Sequence, residues 1–449
     1  MSSTNEDSLR FQRRLDVVQT ILQKYGLKST QVTPLAYVEN SPFEFNNFIF
    51  KVDLAAPGVS AANFPEPQQP CTSAPPPPPA GVTTLVIHLS NPLAEGLNNT
   101  NRVENMVAAQ FLVRQAALAG LSPVVPVPAV YAWSPCRYPE ISDETGFGWT
   151  MSEYKLGSDL DAQFESLPLE EAQDVLEQIA DLLTAVQRVE LPDTVTKFGA
   201  LTIDNSGNIV SGQMPILPGG PWETYEEIWL EKLQSQLAEA DKSPRIRGWR
   251  EVQGGLSGLR ERIDKFLGSG RGVQKMLQGV VDTRQRGLVH GDLTMNNVLY
   301  DSTTKRVTGL LDFDWAAVTH RCEEFLSGLW DVVGGIHERV GELIQPMVLS
   351  GEFGVQPAGL SDAELRKWEI ARAWNSALVK RGAIRPSSVA GVDRLKALKE
   401  FGNLLCPFQL ASEAMLQRMG MSEENAAAFR ASTETKIVSW LDRFESVES

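Results

Sequence analysis

The chain has 449 residues, 42% of them hydrophobic, and a formal net charge of -15 at pH 7; this is apolar material for one large core or two moderate ones, and roughly 150 residues per domain predicts two or three units. The negative charge, with no Lys/Arg-rich stripe among aromatics, argues against nucleic acid as a partner and leaves a neutral or cationic small molecule as the easier one. The opening MSSTNEDSLRFQRRL has no basic segment followed by an apolar one, no apolar run nears the ~18 residues of a membrane span, and Cys71, Cys136, Cys322 and Cys406 lack zinc or disulfide-framework spacing, so a cytoplasmic protein with ordinary reduced thiols is expected.

Residues 1–29 are expected to form an N-terminal helical extension, because RFQRRLDVVQTILQKYGL puts Phe11, Leu15, Val18 and Leu22 on one helical face. Five short runs rich in β-branched and aromatic residues follow: TPLAYVE, NNFIFKVDLA, TTLVIHLS, VPAVYAWS and GWTMSEY. They predict an antiparallel sheet within residues 30–155. Between the second and third runs, residues 55–82 hold a proline-rich stretch that cannot join a ladder and reads as a mobile insertion at a hairpin tip. Between the third and fourth, NRVENMVAAQFLVRQAALAG lines up Val103, Met106, Val107, Gln110 and Phe111 and predicts a helix ending near Gly120.

From residue 156 to 449 a mainly helical unit is expected. A core helix opens at Pro168 and carries Val175, Leu176, Ile179, Leu182, Leu183 and Val186 at helical spacing. FGALTIDNSGNIVSGQMPILPGG reads as a hairpin turning at Asn-Ser-Gly, and further helices are predicted near 221–240, 255–285, 320–349, 361–381 and 388–445. The fold class is therefore α+β: a small antiparallel-sheet lobe, a connector near 153–157, and a large helical lobe.

The chemistry concentrates in LVHGDLTMNNVLYDSTTKRVTGLLDFDWA, residues 288–316. NVLYD and RVTGLLDFD flank STTK, so two antiparallel strands would place Asn297 at the start of the first and Asp312 at the end of the second. That brings Asp292, Asn297 and Asp312 toward one rim. A carboxylate with a carboxamide suits Mg2+, a hard cation that keeps waters and bridges phosphate oxygens, and Asp292 is then available to accept a hydroxyl proton. An Asp, an Asn five residues on, and a strand-turn-strand ending in Asp is the spacing used for phosphoryl transfer in kinase folds.

With HGD where protein kinases carry HRD, HGDLTMNNVLYD...GLLDFDWA resembles the aminoglycoside phosphotransferase and choline kinase family of small-molecule kinases, in its fungal-type form. FEFNNFIFKV is similar to that family's nucleotide loop and WTMSEYKLG to its hinge, so the likeness spans residues 30 to 340. It implies a two-lobed protein-kinase-like fold, ATP and Mg2+ as cofactors, and a small-molecule acceptor such as an amino sugar, an amino alcohol or another natural product, without membrane or nucleic acid. It further implies Asp292 as catalytic base, His290 as an orienter of the loop, Asn297 and Asp312 as metal ligands, and the backbone of Glu153, Tyr154 and Lys155 as the contact for adenine. Asp314 is either a surface carboxylate or a site member placed to bind a second metal or a substrate ammonium, and Asp331 is placed to cap or brace a helix. The acceptor pocket would be lined by residues 200–260 and the C-terminal helices.

Two departures from the family pattern stand out. The strand that normally supplies a phosphate-gripping Lys or Arg reads LVIHLS, with His88 in the basic slot; it is either a protonated phosphate contact or a half-buried strand histidine. Met106 stands where the partner Glu is expected, with Arg102 and Glu104 close by, so the usual ion pair is expected to be missing. The segment between Pro42 and Phe50 is also free of glycine, which restricts close approach of backbone amides to a triphosphate. These departures keep open a competing class, a kinase fold repurposed as a nucleotide-binding scaffold or for other chemistry.

Elsewhere, His320 and His337 with Glu323, Glu324 and Glu338 are read as a solvated helix face instead of a metal cluster. Trp222, Trp229 and Trp249 are read as packing between helices, with Trp222 in a loop that could border the acceptor site. GGLSGL and GSGRG are loop punctuation, and no Gly-x-Ser-x-Gly elbow of a hydrolase is present.

Overall fold

A computed structural model describes residues 3–35, 45–64, 78–94, 96–120, 126–136, 146–252, 255–268, 270–336 and 341–446. Residues 36–44 and 65–77, with Cys71, and His337 and Glu338 lie outside the described residues. Residues 42–44 of the glycine-free segment are among them. Helix α1 (Ser3–Lys24) leads into β1 (Ser29–Leu35), β2 (Asn47–Leu54), β3 (Thr84–Ser90), helix α2 (Arg102–Gly120), β4 (Val130–Ser134) and β5 (Gly148–Glu153). The five strands form one antiparallel sheet in the order β1-β2-β3-β5-β4.

Alternation assigns the two faces. Phe48, Phe50 and Val52 of β2, Leu85, Ile87 and Leu89 of β3, and Trp149 and Met151 of β5 bury one face against Val18, Ile21 and Leu22 of α1. This is the stripe expected of the N-terminal helix, with Phe11 and Leu15 packed at its edge. The other face looks toward the rest of the chain, and the register arranges it in rows across β2, β3 and β5. These are Lys51–Val86–Ser152, then Ile49–His88–Thr150, then Asn47–Ser90–Gly148. Helix α2 runs beneath this face, with Val103 and Val107 against Val130 and Trp133. A side chain at Gly148 would place its Cβ 2.5 Å from Val103, so only glycine permits this approach.

The flanks of the proline-rich insertion are ordered against the sheet. Val59 is buried, and its N–H donates to the carbonyl of Val82 at 2.9 Å.

The second lobe holds β6 (Ser158–Asp159), α3 (Asp161–Phe164), α4 (Leu169–Gln187), β7 (Ala200–Ile203), β8 (Ile209–Gly212), α5 (Tyr225–Lys242), α6 (Leu259–Leu267) and α7 (Arg271–Leu277). It continues with β9 (Gly287–Val289), β10 (Val298–Asp301), β11 (Arg306–Leu310), β12 (Ala317–Thr319), α8 (Glu324–Ser327), α9 (Gln345–Ser350) and α10 (Asp362–Arg381). The last helices are α11 (Val392–Leu405), α12 (Phe408–Ala411), α13 (Glu413–Met419) and α14 (Glu423–Ser446). Helix α4 lies in the core through Val175, Leu176, Ile179, Leu182, Leu183 and Val186, and Trp229 and Trp249 pack in the same core with Trp222 at its margin.

Three expected helices are broken. The 255–285 segment splits where Gly270 takes φ +66°. The 388–445 segment splits at Pro407 and at Gly420, φ +58°. Among the described residues of 320–349 the helical elements are a 3-10 turn, α8 and α9, because backbone bonds go elsewhere: the N–H of Leu329 donates to the carbonyl of Leu293, and that of Ile336 to Phe325. Cys136, Cys322 and Cys406 are free thiols. Among the described residues no helix is long and apolar enough to cross a membrane.

Candidate active site

The hairpin of β10 and β11 pairs Val298 with Leu310 and Leu299 with Gly309, and one further bond, from the N–H of Leu311 to the carbonyl of Asn297 at 2.8 Å, extends it. The ladder stops there because Asp312 takes a left-handed conformation, φ +57°, which an aspartate tolerates better than most residues. Asn297 and Asp312 therefore leave the hairpin at the same end.

The loop from β9 to β10 brings Asp292 to that end and is held from behind. Glu324 is buried, and its carboxylate accepts the N–H of His290 at 2.6 Å and of Gly291 at 3.2 Å. Burial pushes its pKa up to about 7 against the pull of these donors. Asp331 accepts the N–H of Met295 at 2.7 Å. Gly291, at φ +83°, would place a Cβ 2.2 Å from the carbonyl oxygen of Trp315, so the loop turns there only with glycine.

His290 is fully buried, its ring against Phe313 at 4.6 Å between centroids. Nδ1 accepts the N–H of Asp292 at 3.3 Å, so Nε2 carries the proton and donates to the carbonyl of Leu311 at 2.9 Å. Burial pulls its pKa down to about 4, which keeps the ring neutral in this arrangement.

The half-buried carboxylate of Asp292 accepts Nδ2 of Asn297 at 2.9 Å, and the same Nδ2 donates to the Asp292 carbonyl at 2.9 Å. Both donors of the carboxamide point at one residue, so Oδ1 is the atom left for a further partner. Burial raises the pKa of Asp292; the bond from Asn297 opposes it and the charge of Asp314 adds to it. Asp312 is pushed up as well, first by burial and then by Asp314 and Asp292. Three carboxylates thus crowd one rim. Among the described residues no group of three His, Cys, Asp or Glu side chains is placed to hold a metal ion by itself.

Asp314 lies differently from expectation. It is buried, and its Oδ2 accepts Nη2 and Nε of Arg102 at 2.5 and 3.2 Å and Nδ2 of Asn47 at 2.7 Å. Burial alone would raise its pKa, but the Arg102 guanidinium and the other donors hold it below the usual carboxylate range. An internal guanidinium therefore takes Oδ2, while the buried Oδ1 has no hydrogen-bond partner. Arg102 also donates to the carbonyls of Asn46 and Asn91 and to Oδ1 of Asn47, which ties the exit of the β1–β2 loop, the end of β3 and helix α2 to the second lobe. The usual pair between the third strand and the helix is not formed at His88 and Met106; a different ion pair joins the lobes, with its cation from the helix and its anion from the segment after Asp312. Met106, the position read as the missing Glu, is core.

Of the two readings open for His88, its burial fits the strand histidine. It faces the cleft, yet it is 9% exposed, its Nε2 has no hydrogen-bond partner, and burial pulls its pKa down to about 4. A neutral ring is a poor counterion for phosphate. At the hinge, Glu153 uses its N–H on the carbonyl of Ala129 and its carboxylate on Ala129 N–H and Lys155, while the ring of Tyr154 lies 5.3 Å beneath Lys51 Nζ. Glu323 and His320 are buried, not solvated: Glu323 accepts Tyr225 Oη and Lys232 Nζ.

A family model described as the phosphotransferase enzyme family matches residues 101–345, more than half of the chain. No curated protein matches. Among solved structures, a thermostable mutant of aminoglycoside phosphotransferase APH(4)-Ia in apo form is similar over 94% of this chain and 98% of its own, at 14% identity and TM-score 0.42. The streptomycin-ATP-APH(2")-IIa ternary complex is similar over 92% and 97%, at 11% identity and TM-score 0.44. ADP-bound APH(2'')-Ib is similar over 94% and 98%, at 10% identity and TM-score 0.45. The chain belongs to the phosphotransferase enzyme family, with the two-lobed kinase-like fold, and its enzyme class is transfer of a phosphoryl group to an alcohol acceptor.

Proposed function

We propose that this phosphotransferase works with ATP and Mg2+ and acts on a hydroxyl of a small neutral or cationic acceptor, such as an amino sugar or amino alcohol. The observation that carries the reading is the convergence of Asp292, Asn297 and Asp312 at one end of the β10–β11 hairpin, with Asn297 oriented by two hydrogen bonds to Asp292. A carboxylate, a carboxamide oxygen and an excess of negative charge form a donor set that fits a hard divalent cation. Asn297 Oδ1 and Asp312 would hold Mg2+, which when bound would neutralise charge on the transferring phosphoryl group.

The chain's own groups supply the rest. Asp292 takes the proton of the acceptor hydroxyl; its raised pKa makes it a better base, and Asn297 keeps it aimed. His290 fixes the loop through the N–H of Asp292, and Glu324 and Asp331 fix it from below. Since the N–H of Glu153 is already bonded within the sheet, Tyr154 and Lys155 are the hinge positions assigned to the base. Residues 200–260 and the C-terminal helices border the acceptor, and the net charge of -15 favours a cationic one.

Calorimetric titration with ATP, with and without Mg2+, and a screen of small hydroxylated amines and natural products for ADP release test this reading. Metal-dependent nucleotide binding with acceptor-dependent ADP release is the expected result. Absence of metal-dependent binding overturns it. The neutral, enclosed His88 favours a second reading, a nucleotide scaffold without turnover, and binding without ADP release from any acceptor supports that one.

A further inference from the structure

Among the residues of the five strands in the N-terminal sheet, one lysine or arginine occurs, Lys51 on β2. Its register partner on β3 is Val86, one row nearer the hinge than His88, so Lys51 and His88 share the face that looks into the cleft. Lys51 is 29% exposed; Nζ touches Asp53 Oδ2 at 3.2 Å and sits 5.3 Å over the ring of Tyr154.

The other basic groups at this end of the cleft are committed. His88 is enclosed between the strand and the Arg102–Asp314 pair. Arg102 is 1% exposed and directs its N–H groups at Asp314, Asn46, Asn47, Asn91 and Asn99, with none left for a ligand. Residues 36–44, between β1 and β2, include no lysine or arginine but do include Glu39 and Glu44. Lys155 at the hinge is paired with Glu153 at 2.7 Å, so among the described residues of the sheet and its flanks a triphosphate meets one cation able to turn toward it, Lys51. The stem of lysine is flexible and its ammonium donates in three directions, so Nζ can leave Tyr154 and swing along the cleft face.

We infer that Lys51 of β2 is the N-lobe cation that contacts the nucleotide's phosphates, one strand removed from the β3 slot that His88 fills. This rests on the nucleotide reading of the cleft given above. The test is calorimetry on the full chain with Mg·ATP, Mg·ADP and adenosine, for wild type, Lys51→Ala, Lys51→Arg and His88→Gln. Lys51→Ala is expected to weaken Mg·ATP and Mg·ADP by roughly tenfold to a hundredfold, the range of a hydrogen bond to a charged group, while adenosine binds as before. Lys51→Arg should recover most of the loss, and His88→Gln should match wild type.

Unchanged Mg·ATP affinity in Lys51→Ala overturns the inference alone, as does an equal loss for adenosine, which would mark contact with the base or damage to the sheet. Loss in His88→Gln but not in Lys51→Ala overturns it in favour of His88. A wild type that binds none of the three overturns the functional reading and this inference together.

Discussion

The floor of the cleft takes its shape from several independent bonds: the β9–β10 loop gives N–H groups of His290 and Gly291 to Glu324 and of Met295 to Asp331, and its side chains bind one another. The roof is joined to the floor by neutral bonds, from Asn101 to the carbonyls of Leu201 and Gln213 and from Asn105 to that of Ala316, and by one charged tie, Arg102, which gathers Asp314, Asn47 and two carbonyls at a single point. Losing one floor bond leaves the others to hold the loop, whereas losing Arg102 leaves a buried carboxylate uncompensated. Changes in the floor should therefore register in the chemistry, and changes in the roof in stability and binding.

The largest effect expected is at the floor. Asp292→Asn keeps the size of the side chain but removes the base, and kcat should fall roughly a hundredfold to ten-thousandfold, the usual span for general base catalysis. Nucleotide Kd should stay within about twofold, because the base acts in the transition state. Single-turnover kinetics with calorimetry separates the two; a parallel loss of nucleotide binding would show that Asp292 holds the loop instead of acting on the acceptor.

The same contrast explains what could be seen in the residue order. His290, Asp292, Asn297 and Asp312 lie within one strand-turn-strand, so their juxtaposition follows from local pairing and was legible. So were the five strands and the buried face of α1, since alternation and helical period are local signals. The partner of Asp314 lies 212 residues away, and no local pattern joins a helix-start arginine to that carboxylate. Glu324 looks solvated from the residue order for a related reason: nothing in its neighbours reveals that its acceptors will be spent on backbone N–H groups 33 and 34 residues upstream. His88 has the right position for a phosphate contact and the wrong burial, which only the packed sheet and α2 reveal.

Breaking the roof's charged tie comes next in size. Arg102→Met strands the buried Asp314 charge and should lower the unfolding free energy by about 3–5 kcal/mol, read from urea denaturation. Adding Asp314→Asn removes the stranded charge and should restore at least about 1 kcal/mol of that loss, the sign of direct coupling. Additive effects would show that the two side chains act separately and that the Arg102–Asp314 pair does not couple the lobes.

Glu324→Gln should cost less, about 1–3 kcal/mol for one backbone donor left without its partner, and the cost should depend on pH. The folded carboxyl has its pKa pushed up to about 7 from the ordinary 4.5, chiefly by burial. Below 4.5 the group is protonated in both states. As pH rises from 4.5 through 7 the unfolded chain releases the proton first, so the stabilisation by Glu324 declines across that window. Denaturation at pH 5 and pH 8 should show the larger gap between wild type and variant at pH 5; an equal gap at both would mean that the carboxyl titrates normally and is not enclosed as described.

The smallest effect expected is at His88, and it is the one that most sharply separates roof from floor. Burial pulls this imidazole to about 4 from the ordinary 6.5, so above 6.5 it is neutral in both states. Between 6.5 and 4 the unfolded chain takes up a proton that the folded one refuses, and stability drains away as pH falls. His88→Gln removes this sensitivity, so acidification from pH 7 to pH 5 should destabilise the variant less than wild type. The nucleotide KM of the two should follow the same course between pH 6 and pH 8, within about twofold, because a neutral ring has no charge to lose there. A KM that rises with pH in wild type but stays flat in the variant would mean that the bound triphosphate draws His88 into its protonated form, and that the roof carries a titrating cation after all.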